Sequence, residues 1–169
     1  MADVEILSFG ETGNIPGALG RITELHALYY SQNWRFGIFF EAKVAREIAE
    51  FLTRFDNESD LFLVALKNGR VEGGIALDGS EAEGKGAHLR WFIMSDAVRG
   101  SGVGNMLMEK TKAFAARKGI KKIYLTTFRG LGPARHLYEK YGFDLVDETK
   151  GITWGVEVSE QLFIYAESK

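Results

Sequence analysis

Apolar residues along this chain follow two spacings, one of about four residues and one of two, and their succession predicts the elements. Val4 to Phe9 forms a short first strand, and the turn-rich stretch Gly10, Gly13, Asn14, Pro16 and Gly17 follows it. Ile22, Leu25 and Tyr29 share one helical face, which predicts a first helix over about residues 18–31. Asn33-Trp34-Arg35-Phe36-Gly37 breaks it. The second helix has the clearest pattern: Val44, Ile48, Phe51, Leu52 and Phe55 form a continuous apolar stripe. The polar run Asp56 to Asp60 ends that helix, and Leu61 to Lys67 reads as a strand. Asn68-Gly69 then joins it to a return strand, Val71 to Leu77, because both turn residues tolerate positive φ. Gly73-Gly74 is the expected place for a bulge in that strand.

An acidic, glycine-rich loop (Asp78 to Gly86) leads to a fourth strand, His88 to Met94. Val103, Met106, Leu107, Ala113 and Phe114 support a third helix, closed by Arg117-Lys118-Gly119, where cations meet the negative end of the dipole. Ile123, Leu125 and Thr127 alternate as a fifth strand. Pro133 suits the first turn of a fourth helix running to about Tyr141, and Phe143–Val146 and Trp154–Ala166 close the chain as strands. The order β-α-α-β-β-β-α-β-α-β-β is that of a mixed α/β sheet. With no internal repeat or linker, residues 1–169 read as a single domain.

Composition narrows the function more than the fold. A chain of 169 residues can bury a core without staples, and 46% hydrophobic with 26% charged residues is ordinary for a globular protein. The net charge of -2, without any block of like charge, gives no reason to expect nucleic acid or an anionic membrane as a partner. The absence of cysteine removes disulfides, thiolate nucleophiles and cysteine-based zinc sites together. No metal-ligand spacing is present, and His26 and His136 read as structural. The acidic N-terminus and the lack of a long apolar run lead to the expectation of a cytoplasmic protein.

Arg99-Gly100-Ser101-Gly102-Val103-Gly104, between a strand and a helix, carries the most chemistry. Glycines let the backbone turn tightly there, and successive N–H groups at a helix N-terminus point at an anion, so a phosphate-bearing ligand is implied. A purely structural turn is the alternative. The P-loop pattern fails, since no Lys-Ser or Lys-Thr pair follows the last glycine. A dinucleotide fold fits poorly too, because the next strand ends in Thr126-Thr127-Phe128, without an acid for a ribose.

The context of the glycines carries a family resemblance. Leu89-Arg90-Trp91-Phe92-Ile93-Met94, Ser95-Asp96-Ala97-Val98 and the glycine run resemble the acetyl-CoA motif of the GCN5-related N-acetyltransferases (GNAT). Ala134 to Phe143 is similar to the same family's A-x-x-L-Y-E-K-x-G-F signature. Gly20 to Glu47, Trp154-Gly155 and Glu160-Gln161 resemble acetyltransferase domains fused to MarR-type regulators, without the winged helix, so DNA binding is not implied. The fold so implied is a mixed, mostly antiparallel sheet of about seven strands with about four helices, splayed between strands 4 and 5.

The resemblance implies a mechanism. Arg99, Gly100, Ser101, Gly102, Val103 and Gly104 would hold the CoA pyrophosphate, and the backbone of Phe92, Ile93 and Met94 would pair with its pantetheine arm. An amide near Met94 would stabilise the oxyanion. Tyr138 occupies the position beside the CoA sulfur, where a phenol can protonate the leaving thiolate. The general base stays open between His88 and Glu41. Trp34, Phe36, Phe39 and Phe40 make an aromatic run suited either to an acceptor pocket or to core. Arg90 shares a strand face with His88, from which it can hold a carboxylate on the acceptor. One departure stands out: Leu131 occupies the place where many family members have an asparagine that meets the pantetheine. The expected acceptor is a small-molecule or peptide amine, and the resemblance implies a homodimer through the closing strands. A non-catalytic acyl-CoA sensor is the competing reading.

Overall fold

The computed structural model describes residues 3–168. Its order is β1 (Val4–Ser8), α1 (Phe9–Thr12), α2 (Ala18–Trp34), α3 (Ile38–Thr53), β2 (Leu61–Lys67), β3 (Arg70–Asp78), β4 (Ala87–Met94), α4 (Val103–Arg117), β5 (Lys122–Phe128), α5 (Gly132–Lys140), β6 (Asp144–Gly151) and β7 (Val158–Ala166). Every strand and long helix expected from periodicity is present. The single turn α1 was not expected, because four residues are too few to show a helical period. Asn68 and Gly69 take φ of 53° and 74°, as the tight β2–β3 hairpin requires.

One seven-stranded sheet runs β1-β2-β3-β4-β5-β7-β6, with all neighbours antiparallel except β4 and β5. Each face carries its own core. On one side Ile22, Phe36, Phe40, Val44, Ile48 and Phe51 of the α2–α3 layer pack on Phe62, Val64, Ala76 and Phe128. On the other, Val103, Leu107, Met108, Phe114 and Tyr138 of α4 and α5 pack on Leu63, Ile75, Leu89, Leu125 and Phe163. The apolar stripe of α3 is buried at Val44, Ile48 and Phe51, while Phe55, expected on it, lies beyond the end of the helix at Thr53.

Two irregularities shape the middle of the sheet. In the β2–β3 pair, Ala65 faces Gly73 and Leu66 faces Val71, so the extra residue is Glu72, beside the expected glycines. Between β3 and β4, Gly74 faces Ile93 and Ala76 faces Arg90, so Trp91 and Phe92 stand opposite Ile75 alone. Trp91 adopts φ 50°, a left-handed conformation that costs a non-glycine residue about 1–3 kcal/mol. The bulge turns β4 away from β5. These strands pair only at Ala87–Ile123 and His88–Tyr124, and beyond them the sheet opens.

Candidate active site

The opening between β4 and β5 contains a cavity of about 310 Å³. Its walls come from both faces of the sheet. From the α2–α3 side come His26, Tyr30, Phe40, Lys43 and Glu47, and from the other side Phe92, Leu125 and Tyr138. The β4 bulge explains how one strand serves both: it sets Arg90 and Trp91 on the α2–α3 side and sends Phe92 to the other. Trp154 and Thr153, from the segment before β7, complete the rim.

Tyr138 is 6% exposed and reaches this cavity from α5, its ring packed against Phe92, Phe143 and Phe163. Burial pushes its phenol well above the ordinary value, so it holds its proton throughout the physiological range. Tyr30 shows the same shift, from burial first and then from the neighbouring Tyr138 and Tyr29. His88 stacks on Tyr124 and is held near a pKa of about 3, by burial first and then by the Arg90 charge. It is therefore a neutral imidazole at any physiological pH. His26 is also neutral: burial lowers it to about 4, against a hydrogen bond to the Ile22 carbonyl at 2.8 Å. Because that carbonyl can only accept, Nδ1 carries the proton.

The glycine run caps α4. Gly100 and Gly102 take φ of 77° and 88°, values that L side chains resist, and Gly102 is the N-cap. The amides that begin α4, at Gly102, Val103 and Gly104, are those that no preceding helical carbonyl reaches. They lie next to the end of β4, since a Cβ on Gly104 would stand 3.0 Å from the Met94 methyl. Arg99 donates to the Met94 carbonyl at 2.9 Å and pairs with Asp96, and the Ser101 hydroxyl donates to the Val98 carbonyl. Both side chains brace the loop. The donor set thus comprises backbone N–H groups at a helix N-terminus, reached along the β4 edge left free by the splay; these features suit a phosphate-bearing chain.

Of the residues singled out in the sequence as catalytic or acceptor-site candidates, Phe40, His88, Arg90 and Tyr138 line the cavity together, with Phe92 of the expected pantetheine strand. Four other such candidates do not, among them Phe39, which is exposed on α3 with its ring against Gly155. Phe36 is 2% exposed and fills the aromatic core between Tyr30, Phe40 and Phe128. Trp34 packs edge-on against Phe128 and covers Gly130, behind the cavity wall. Glu41 points to solvent from the first turn of α3, while Lys43, Val44 and Glu47 face inward. The difference is helical phase: residues 40, 43, 44 and 47 share a face that excludes 41. Lys43 and Glu47 were missed because charged positions beside an apolar stripe look like a solvated helix edge. His26, expected as structural, does make a structural bond but also reaches the cavity.

Comparison with known proteins agrees with this geometry. Residues 21–143 match the acetyltransferase (GNAT) family. An acetyltransferase from Streptococcus agalactiae superposes with a TM-score of 0.72 at 23% identity, covering 96% of this chain and 98% of that one. The yncA protein of Salmonella typhimurium, solved with its cofactor acetyl-CoA, gives a TM-score of 0.75 at 14% identity over 99% and 96% of the two chains. A GNAT acetyltransferase from Staphylococcus aureus gives 0.69 at 17% identity, covering 98% and 100%. At these identities the likeness is one of fold. No curated protein matches the sequence. Among the described residues there is no cluster of metal-ligating side chains, and no helix is long and apolar enough to cross a membrane.

Proposed function

The chain belongs to the acetyltransferase (GNAT) family, and we propose that it transfers an acetyl group from acetyl-CoA to a primary amine by direct attack within a ternary complex. The observation that carries this reading is the cavity itself. It spans the sheet at the β4–β5 opening, with Tyr138 on one side and the α2–α3 wall on the other. Acetyl-CoA supplies the activated thioester carbon. Gly102, Val103 and Gly104 offer amides to its pyrophosphate, with Gly100 and Ser101 shaping the turn and Arg99 adding positive charge. Backbone groups of Phe92, Ile93 and Met94 run beside its pantetheine arm, and an amide there steadies the oxyanion.

Two residues of the cavity stand on the paths of the protons that must move, one of which ends in solvent. As the N–C bond forms and the C–S bond breaks, the ammonium loses one proton and the departing thiolate gains one. Tyr138, fully protonated, donates to the sulfur. His88, a neutral imidazole, faces the acceptor side and can accept a hydrogen bond from the amine or from a water that carries its proton away. The same reading includes a cytoplasmic location, a homodimer through the closing strands, and the likeness of residues 20–47 to MarR-fused domains, which rests on sequence alone.

The test is CoA release from acetyl-CoA across amino acids, polyamines, aminoglycosides and lysine peptides, with Tyr138→Phe in parallel. Release with one acceptor class, reduced in the variant, supports the proposal. Acetyl-CoA binding without release from any acceptor favours a sensor instead, and no binding at all overturns the reading.

A further inference from the structure

The α2–α3 side of the cavity carries an unequal set of charges. Glu47 divides its carboxylate between two cations, Oε1 to Lys43 Nζ at 2.6 Å and Oε2 to Arg90 Nη2 at 2.5 Å. All three side chains line the cavity and are only 21–23% exposed. His26 and His88 add no charge, since burial keeps both neutral. The nearest other anion is Asp78, 4.0 Å from Arg90 Nη1, and it lies outside the cavity, taken up by Arg54 at 2.5 Å and by Ser80. The lining therefore holds two cations against one carboxylate.

Hydrogen-bond capacity shows the same surplus. A guanidinium has five N–H donors and an ammonium three. Among the described residues, Arg90 makes one hydrogen bond and Lys43 one, both to Glu47. The Arg90 guanidinium lies over the Trp91 ring, 4.2 Å from its centroid, on the cavity side of the bulge. Glu47, with an oxygen committed to each cation, is poorly placed to capture a further ammonium. A polycation would meet two like charges at reduced dielectric, an arrangement that disfavours it. The rest of the wall on this side is aromatic: Tyr30, Phe40, Phe128 and Trp154.

We infer that the acceptor is a small amino-carboxylic acid with an apolar side chain, its carboxylate held by the spare donors of Arg90 and Lys43 and its apolar part by Phe40, Phe128 and Trp154. A planar, charge-assisted fork is the geometry a carboxylate selects. A cavity of about 310 Å³ suits such a molecule, at the small end of the range for ligand sites. This inference rests on the acetyltransferase reading but can fail separately from it. It also excludes polyamines and aminoglycosides as preferred acceptors.

The experiment compares L-leucine and L-phenylalanine with their amides and with isoamylamine and phenethylamine. It measures kcat/KM with acetyl-CoA and, separately, calorimetric binding of N-acetyl-L-phenylalanine and N-acetylphenethylamine to the CoA-loaded protein. The expected preference for the carboxylate is roughly 100-fold in both readouts. Arg90→Gln and Lys43→Gln should each reduce it about tenfold or more, with CoA affinity unchanged. The triple variant Lys43→Gln/Glu47→Gln/Arg90→Gln removes both cations and their shared carboxylate together, so that no lone buried carboxylate is left to unfold the site, and should abolish the preference. Equal handling of acids, amides and amines overturns the carboxylate subsite while acetyl transfer stands. Arg90-dependent binding of the acid without any transfer keeps the subsite and overturns the transferase reading. Binding of neither ligand overturns the subsite.

Discussion

His88 and Tyr124 lie face to face across the last residue pair joining β4 to β5, with ring centroids 4.4 Å apart and planes 15° from parallel. The stack closes the end of the opening from which the cavity widens, and it explains why His88 stays neutral: one face of the imidazole is covered by a ring, and the adjacent Arg90 repels a proton.

That neutrality has a consequence for stability. His26 and His88 titrate near 4 and 3 in the folded protein, against 6.5 for an unconstrained histidine. As pH falls below 6.5 the unfolded chain takes up protons that the folded chain refuses. Stability is therefore full above about pH 7 and is lost between 6.5 and 4, by about 3 kcal/mol from His26 alone. Urea unfolding at pH 7.5 and 4.5 should show the loss. His26→Gln should shrink it; an unchanged pH dependence in that variant would show that His26 is not the source.

Tyr138→Phe should leave the fold and acetyl-CoA affinity intact, since the ring's packing on Phe143 and Phe163 is kept. We expect kcat to fall about 100-fold, the scale of a lost general acid. Steady-state CoA release alongside calorimetry would separate this from a packing defect, which would weaken binding as well.

Gly102→Ala forces an L side chain into φ 88° at the start of α4. The expected result is about 1 kcal/mol of lost stability and a Kd for CoA raised roughly tenfold, because the first-turn amides are re-aimed. Unchanged affinity would remove this helix end from the pyrophosphate site.

Gly130→Ala tests the aromatic wall. A Cβ there would stand 2.2 Å from the Trp34 ring, at a backbone φ of 114°. The chain should lose about 2–4 kcal/mol in chemical denaturation. Trp34→Leu in the same background should restore part of it by vacating that space.

Glu41→Gln should change kcat less than about twofold, as expected of an exposed helix position outside the cavity. A larger loss would mean that the acceptor extends over the N-terminal turn of α3.

How much of this was legible in the sequence follows from how local each feature is. The α3 stripe, the Asn68-Gly69 hairpin and the capped α4 are set by neighbours in the chain, and periodicity finds them. So are the motif residues from Arg90 to Gly104 and Tyr138, whose spacing is part of the signal. The strand β6 is different: expected to end at Val146, it runs to Gly151, because Asp147, Glu148 and Lys150 lie on an exposed edge where no apolar alternation is needed. The charged side of the cavity is illegible for another reason. Lys43 and Glu47 differ from any solvated pair on a helix only in meeting Arg90 from a strand 43 residues further on. Phe36 and Trp34 look like pocket residues until the chain reversal after α2 turns them onto Phe128.

The order of strands also bears on how the molecule comes into being. β5 is tied to β4 by two residue pairs and to everything else in the sheet through β7, the last strand in the sequence. During synthesis the first four strands and the α2–α3 layer are complete long before β7 emerges, and so can fold as a unit. Strand β5, which carries Leu125 on one side and Phe128 on the other, makes two residue pairs with β4 and seven with β7, which lies between β5 and β6. Both sides of the cavity therefore depend on β7 for most of the pairing that holds β5, and removing β7 should loosen the two together.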